Sequence, residues 1–347
     1  MLALPDIPGL DEAAMLSASQ RLDRLTKPLG SLGRLEEIAV WLAGIQGHAY
    51  PRLARKTIFV VAADHGVALR GVSAYPQAVT GQMVRNFLAG GAAINVLARH
   101  AGAKVIVVDA GVAQDPGPAP GLVSKRLGPG TADLVTSPAM SEEQAIECIR
   151  IGIDLARTED AGVIGCGEIG IGNTTAASAV TAAMLGCAPE RVTGSGTGID
   201  DEARSRKIAL IEKALALHQP DASKPLDVLR MVGGFEIGIL AGVIIGAAAS
   251  RRAVLVDGFI STSAALLAHA IAPESLPYML ATHLSTEPGH RLALERLDLA
   301  PFLDLRLRLG EGTGAALAMP ILEAACHVLS EMATFESAGV SGRDDSR

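Results

Sequence analysis

The chain has 347 residues, enough for one large domain with an appendage or two ordinary ones, and a sizeable core. Thirty Lys and Arg stand against 37 Asp and Glu, and the net charge of -7 would repel a polyanion. With 3% aromatic residues there are also no stacking platforms for single strands, so nucleic-acid binding is excluded as a general function.

The first fifty residues read as helices, because Ala14, Ala18, Leu22 and Leu25 recur at helical spacing and Leu35, Ile38, Ala39 and Leu42 do so again. Lys27 to Gly33 forms the turn between them. Asp6, Asp11 and Glu12 stand where a secretory leader would carry a basic start and an apolar stretch, so the expected compartment is the cytoplasm.

Short β-branched runs then alternate with Ala-rich helical stretches. Strands are expected at 57–64, 104–109, 162–165 and 253–257, with weaker ones at 191–193 and 302–305. This is the βαβ pattern of a parallel sheet, with helices on both faces because Val60 to Ala63 and Val105 to Val108 lack polar alternation. A Pro/Gly-rich segment, 115–129, reads as a surface excursion, and the tail after Ala338 as frayed. The most apolar run, Ile237 to Ser250, is too short to cross a bilayer, and no membrane span is expected.

In such folds ligands bind beyond the carboxyl ends of the strands, so the loops there carry the chemistry. The first, Gly165 to Thr175, contains Gly165-x-Gly167-x-x-Gly170 before an Ala-rich helix, the pattern of a dinucleotide site. Glu168 inside it would repel a pyrophosphate. The loop is better suited to a small ligand or a developing cation, or its glycines simply permit a tight turn. The second, Thr193 to Gly198, is a candidate anion nest with Ser195 and Thr197 as hydroxyl donors. Lys207 follows on the next helix, either returning to the anion or solvated. The third runs from Asp257 to Thr262.

In the fourth loop Glu311 stands between Gly310 and Gly312, where a substrate can approach closely. It reads equally as a carboxylate tuned to take a proton and as an acidic residue favoured by the macrodipole of the helix that follows. The four cysteines are widely spaced, the histidines match no metal motif, and no Gly-x-Ser-x-Gly elbow is present, so metal-free chemistry with hydroxyls as ligand donors is expected.

Taken together, the segments Leu22 to Gly33, Ala63 to Val67, Ser73 to Gln77, Gly167 to Thr175 and Leu309 to Gly314 resemble the nicotinate-nucleotide:dimethylbenzimidazole phosphoribosyltransferases over nearly the whole chain. The resemblance implies a Rossmann-like α/β domain over 51–320 and a small helical domain from 1–50 and 321–347, in a homodimer with sites near the interface. It implies phosphoribosyl transfer from nicotinate mononucleotide to dimethylbenzimidazole with inversion at the anomeric carbon, without metal or cofactor. Glu311 matches the general base and Glu168 a second carboxylate. Gly170, Gly194, Ser195, Gly196, Lys207, Ser285 and Gly312 would surround the nucleotide and its phosphate. Ser73, Tyr75, Gln82 and Leu309 would hold the base, with Tyr75 at a position where Phe is frequent in the family.

Overall fold

A computed structural model describes residues 2–341; the end of the tail expected to fray, from 342, lies outside them. In chain order, α1 (Glu12–Arg24) and α2 (Arg34–Gln46) precede β1 (Lys56–Ala63), α3 (Ala78–Leu88), α4 (Ala93–His100), β2 (Lys104–Gly111) and β3 (Leu122–Ser124). There follow α5 (Glu142–Thr158), β4 (Val163–Ile169), α6 (Asn173–Leu185), α7 (Asp201–His218), α8 (Pro225–Val232), α9 (Phe235–Ala249) and β5 (Ala253–Val256). The chain continues through α10 (Phe259–Ile271), β6 (Met279–Ala281), α11 (Pro288–Arg296), α12 (Thr313–Glu331) and α13 (Phe335–Ala338).

The six strands form one parallel sheet in the order β3-β2-β1-β4-β5-β6. This is the doubly wound Rossmann order, and its direction reverses between β1 and β4, which opens a crevice beyond their carboxyl ends. β1 is buried throughout, and its side chains divide with period two between two cores. Phe59, Val61 and Ala63 join the core containing α5, α9 and α10, whereas Ile58, Val60 and Ala62 pack with residues of α2 and α12.

The sheet departs from the sequence reading at its edges. β3 lies within the expected surface excursion, and β6 follows Pro277; each has three residues, too few to reveal a period. Residues 189–191 form a single helical turn started by a proline, and the expected strand at 191–193 does not exist. At 302–305 only Leu303 bridges to His283, so there is no strand there either.

β4 extends to Ile169, which places Gly165 and Gly167 inside a strand rather than in a phosphate-binding turn. A Cβ at Gly165 would lie 3.0 Å from both Ala315 and Ile58, and one at Gly167 would collide with the Glu311 carbonyl. These glycines let β4 pack against the start of α12, which removes the dinucleotide reading.

By length and composition α12 alone among the described residues would pass for a membrane-crossing helix, a feature the sequence reading missed. Its Ala315, Met319, Leu322 and Leu329 are buried in the core beside α2. Position 320, where the sequence reading divides the chain, lies within this continuous helix.

Candidate active site

A cavity of about 500 Å3 lies beyond the carboxyl ends of the strands, a size suited to a small ligand. Every strand from β4 to β6 sends a loop to its wall. Glu168 to Ile171 follow β4, Gly258 to Ile260 follow β5, and His283, Ser285 and Glu287 follow β6. Tyr75, Val79 and Met83 come from the segment after β1, and Arg308 to Glu311 from the segment before α12.

Glu311 and Glu168 face this one cavity, and both are buried. Gly310, Glu311 and Gly312 all have left-handed backbones, with φ of 82°, 62° and 87°. This turn lays Gly310 directly against the Glu168 carboxylate, so that a Cβ there would displace its Oε1. Glu311 accepts a long hydrogen bond, 3.4 Å, from the Ile94 N–H at the start of α4. Burial raises its pKa above the ordinary carboxylate range, against the opposing effect of that N–H.

Glu168 is pushed well above that range by burial, then by the charges of Glu236, Asp257 and Glu311. Its Oε2 accepts a hydrogen bond from the Asn173 side-chain amide at the start of α6. Asp257, at the end of β5, supports Glu311 from below. It accepts N–H groups from Gly312 at 3.1 Å and Ala315 at 3.0 Å, and so caps α12 from another element. Burial pushes its pKa to about 7 despite those bonds.

The residues of the candidate anion nest reach the cavity and the surface beside it. Gly196 lines the cavity, while Gly194 and Ser195 line an adjoining depression of about 530 Å3 together with Arg204, Glu287 and Arg308. Lys207 is fully buried rather than solvated, and its Nζ donates to Thr174 Oγ1 at 2.8 Å. Burial lowers its pKa to about 8, with Glu287 opposing the shift. Ser285 lines the cavity, and its backbone N–H donates to His290 Nδ1 at 2.9 Å. Burial lowers His290 to about 3, so this imidazole stays a neutral acceptor at pH 7.

Among the residues expected to hold the base, Tyr75 and Leu309 line the cavity mouth, each 56% exposed. Gln82 does not line it: on α3 it falls on the exposed side, and the helical period turns Val79 and Met83 inward instead. Ser73 does not line it either, because its hydroxyl is engaged by Thr197 Oγ1 at 3.2 Å. The sequence reading missed Val79, Met83, His283 and Glu287 as wall residues. Only the helical period from Val79 to Met83 carried a signal.

A doubly wound sheet with paired carboxylates in the cavity beyond its strands is the architecture of a small-molecule enzyme of the α/β class. A phosphoribosyltransferase family model matches residues 7–340. The nicotinate-nucleotide–dimethylbenzimidazole phosphoribosyltransferase of Roseiflexus sp. (strain RS-1) is 58% identical over 96% of this chain and 96% of its own length. That of Geotalea uraniireducens is 52% identical over 98% and 97%. The crystal structure of CobT from Thermus thermophilus superposes with a TM-score of 0.92 at 48% identity, covering 95% of this chain and 100% of that one. The chain belongs to the nicotinate-nucleotide–dimethylbenzimidazole phosphoribosyltransferase family.

Proposed function

We propose that the chain transfers the phosphoribosyl group of nicotinate mononucleotide to 5,6-dimethylbenzimidazole, giving α-ribazole 5'-phosphate and nicotinate. The observation that carries this reading is the meeting of the buried Glu311 and Glu168 in one cavity whose wall also includes Gly196 and Thr174, the residue that holds Lys207.

One benzimidazole nitrogen attacks the anomeric carbon as the bond to the pyridinium nitrogen breaks. The bonding pair goes to that nitrogen and neutralises it, so the leaving group needs no acid. The proton on the other benzimidazole nitrogen passes to Glu311, whose raised pKa suits a general base. Attack opposite the leaving ring inverts the anomeric centre. Glu168 faces the positive charge that develops on the ribosyl carbon, and that charge favours the ionised form which burial and the neighbouring carboxylates disfavour.

Gly194, Ser195, Gly196, Lys207 and Ser285 take the phosphate end, Gly170 and Gly312 allow close approach, and Tyr75, Met83 and Leu309 frame the acceptor. A second copy of the chain completes the site by covering its exposed mouth. The described parts of the two terminal segments, 2–50 and 321–341, act as a helical buttress behind it.

The test is to mix the purified chain with both substrates and follow free nicotinate and α-ribazole 5'-phosphate by chromatography with mass detection. Equimolar appearance of the two is expected, and it requires both substrates. Nicotinate release without ribazole phosphate, or no release at all, overturns the reading.

A further inference from the structure

Three of the residues assigned above to the substrate phosphate, Gly194, Gly196 and Ser285, already meet an acidic residue of the protein itself. Glu287 precedes α11 and turns its carboxylate into the Gly194–Gly198 turn. Its Oε1 accepts the Gly196 N–H at 2.9 Å. Its Oε2 lies on Gly194, where any Cβ would collide with it. The Glu287 backbone N–H donates to Ser285 Oγ at 3.3 Å. The side chain is buried, yet among the described residues Oε2 has no hydrogen-bond partner. A buried carboxylate with one N–H and an empty second oxygen is held below its capacity.

A phosphate and this carboxylate cannot both take the Gly196 N–H, and their charges repel at such range. The adjoining depression offers a destination, because Glu287 also lines it beside Arg204 and Arg308. Arg308 reaches back to the Gly196 carbonyl at 3.2 Å, so the guanidinium lies next to the same turn.

We infer that Glu287 is a displaceable resident anion: it occupies the phosphate seat and swings toward the arginine-lined depression when a phosphomonoester enters. The inference rests on the phosphoribosyl-transfer reading for the identity of the seat. Its consequence is specificity. Inorganic phosphate gains only the seat and must still expel the carboxylate, whereas a ribonucleotide gains ribose and ring contacts that offset the expulsion. Glu287 therefore excludes free phosphate, an abundant competitor, without blocking the nucleotide.

The experiment measures inorganic phosphate affinity by titration calorimetry in wild type, Glu287→Gln and Glu287→Ala. Competition against nicotinate mononucleotide turnover provides the second readout. Both substitutions are expected to tighten phosphate binding at least tenfold and to lower KM for the nucleotide, with phosphate becoming an effective competitive inhibitor. If Glu287 is instead a fixed brace of the turn, phosphate affinity stays level or weakens and the nucleotide KM rises, which overturns the inference. Failure of both variants to fold also counts against it, since a group that leaves its place in each cycle cannot be required for folding. Should wild type release no nicotinate, the transferase reading falls alone, because the calorimetric comparison still tests the resident carboxylate.

Discussion

Glu311 occupies a left-handed backbone conformation that a residue with a Cβ adopts at a cost of order 1 kcal/mol. Its sequence context allowed two readings, an aimed base or an acid favoured by the following helix. The carboxylate takes its hydrogen bond from Ile94 in the first turn of α4, an element other than the helix that follows it in sequence. Glu311→Gln keeps the size and an acceptor oxygen but cannot take a proton. It is expected to lower kcat by roughly 10²- to 10⁴-fold while nucleotide affinity stays within about twofold of wild type. Steady-state kinetics with equilibrium titration of nicotinate mononucleotide check both. Because burial raises the Glu311 pKa, the base form is lost on the acid side at a pH above the ordinary carboxylate range. Turnover should fall as pH falls through that region, and this limb should vanish from the residual activity of the Gln variant.

At the scale of elements, the site depends on the junction of β5 with α12. Asp257 holds two N–H groups of the turn that carries Glu311, so it is a positioning residue. Asp257→Asn leaves one carboxylate oxygen's worth of acceptor and faces the other N–H with a donor. A fall in kcat of at least tenfold is expected, with the nucleotide KM changing less than threefold. A purely structural role would move both or neither. The folded-state pKa is about 7, above the ordinary value of 3.8, so this group favours folding fully below the lower value. That contribution is lost as pH rises through the higher one. Urea unfolding between pH 4 and 7 should show wild type losing up to about 1.4 kcal/mol per pH unit relative to the Asn variant.

Elements also differ in how legible they were in the sequence. β1 and β5 announced themselves through apolar runs buried on both faces, whereas in β2 Val107 and Val108 are buried but Val105 and Ile106 only half-buried, and β4 offered only Val163 and Ile164 before its glycines. β3 and β6 escaped because a three-residue edge strand has no pattern to read. Glu311 and Glu168 were legible through their glycine neighbours, since those glycines exist to bring the two segments into contact. The role of Asp257 was not, because its partners lie more than fifty residues away and nothing local marks an acceptor that caps a distant helix. Gln82 was misplaced by a single helical step relative to Met83.

For the whole molecule, the chain ends are tied together behind the sheet. Arg21 donates to the carbonyls of Leu329 and Met332, and their helices share a core with Ile58, Val60 and Ala62 of the central strand. The site end is different: beyond the strands' carboxyl ends Leu69, Tyr75, Leu305 and Leu309 remain exposed, Leu69 at 84%. Two of these, Tyr75 and Leu309, form the cavity mouth, so the apolar rim and the substrate entrance are one surface. Large exposed apolar residues at a cavity mouth mark a contact surface, and the proposed homodimer would cover Tyr75 and Leu309. Leu69→Asp places a charge in the segment after β1 that also carries Tyr75, six residues on, while the 3₁₀ turn Gly66–Arg70 leaves the Leu69 side chain free of the core. Light scattering after size-exclusion chromatography should find wild type at the mass of two chains and the variant shifted toward one. Activity of the variant should also fall more steeply on dilution, since the acceptor side of the cavity would lose its cover. Two unshifted masses, or a wild type that is already a single chain, would remove the second copy from the site.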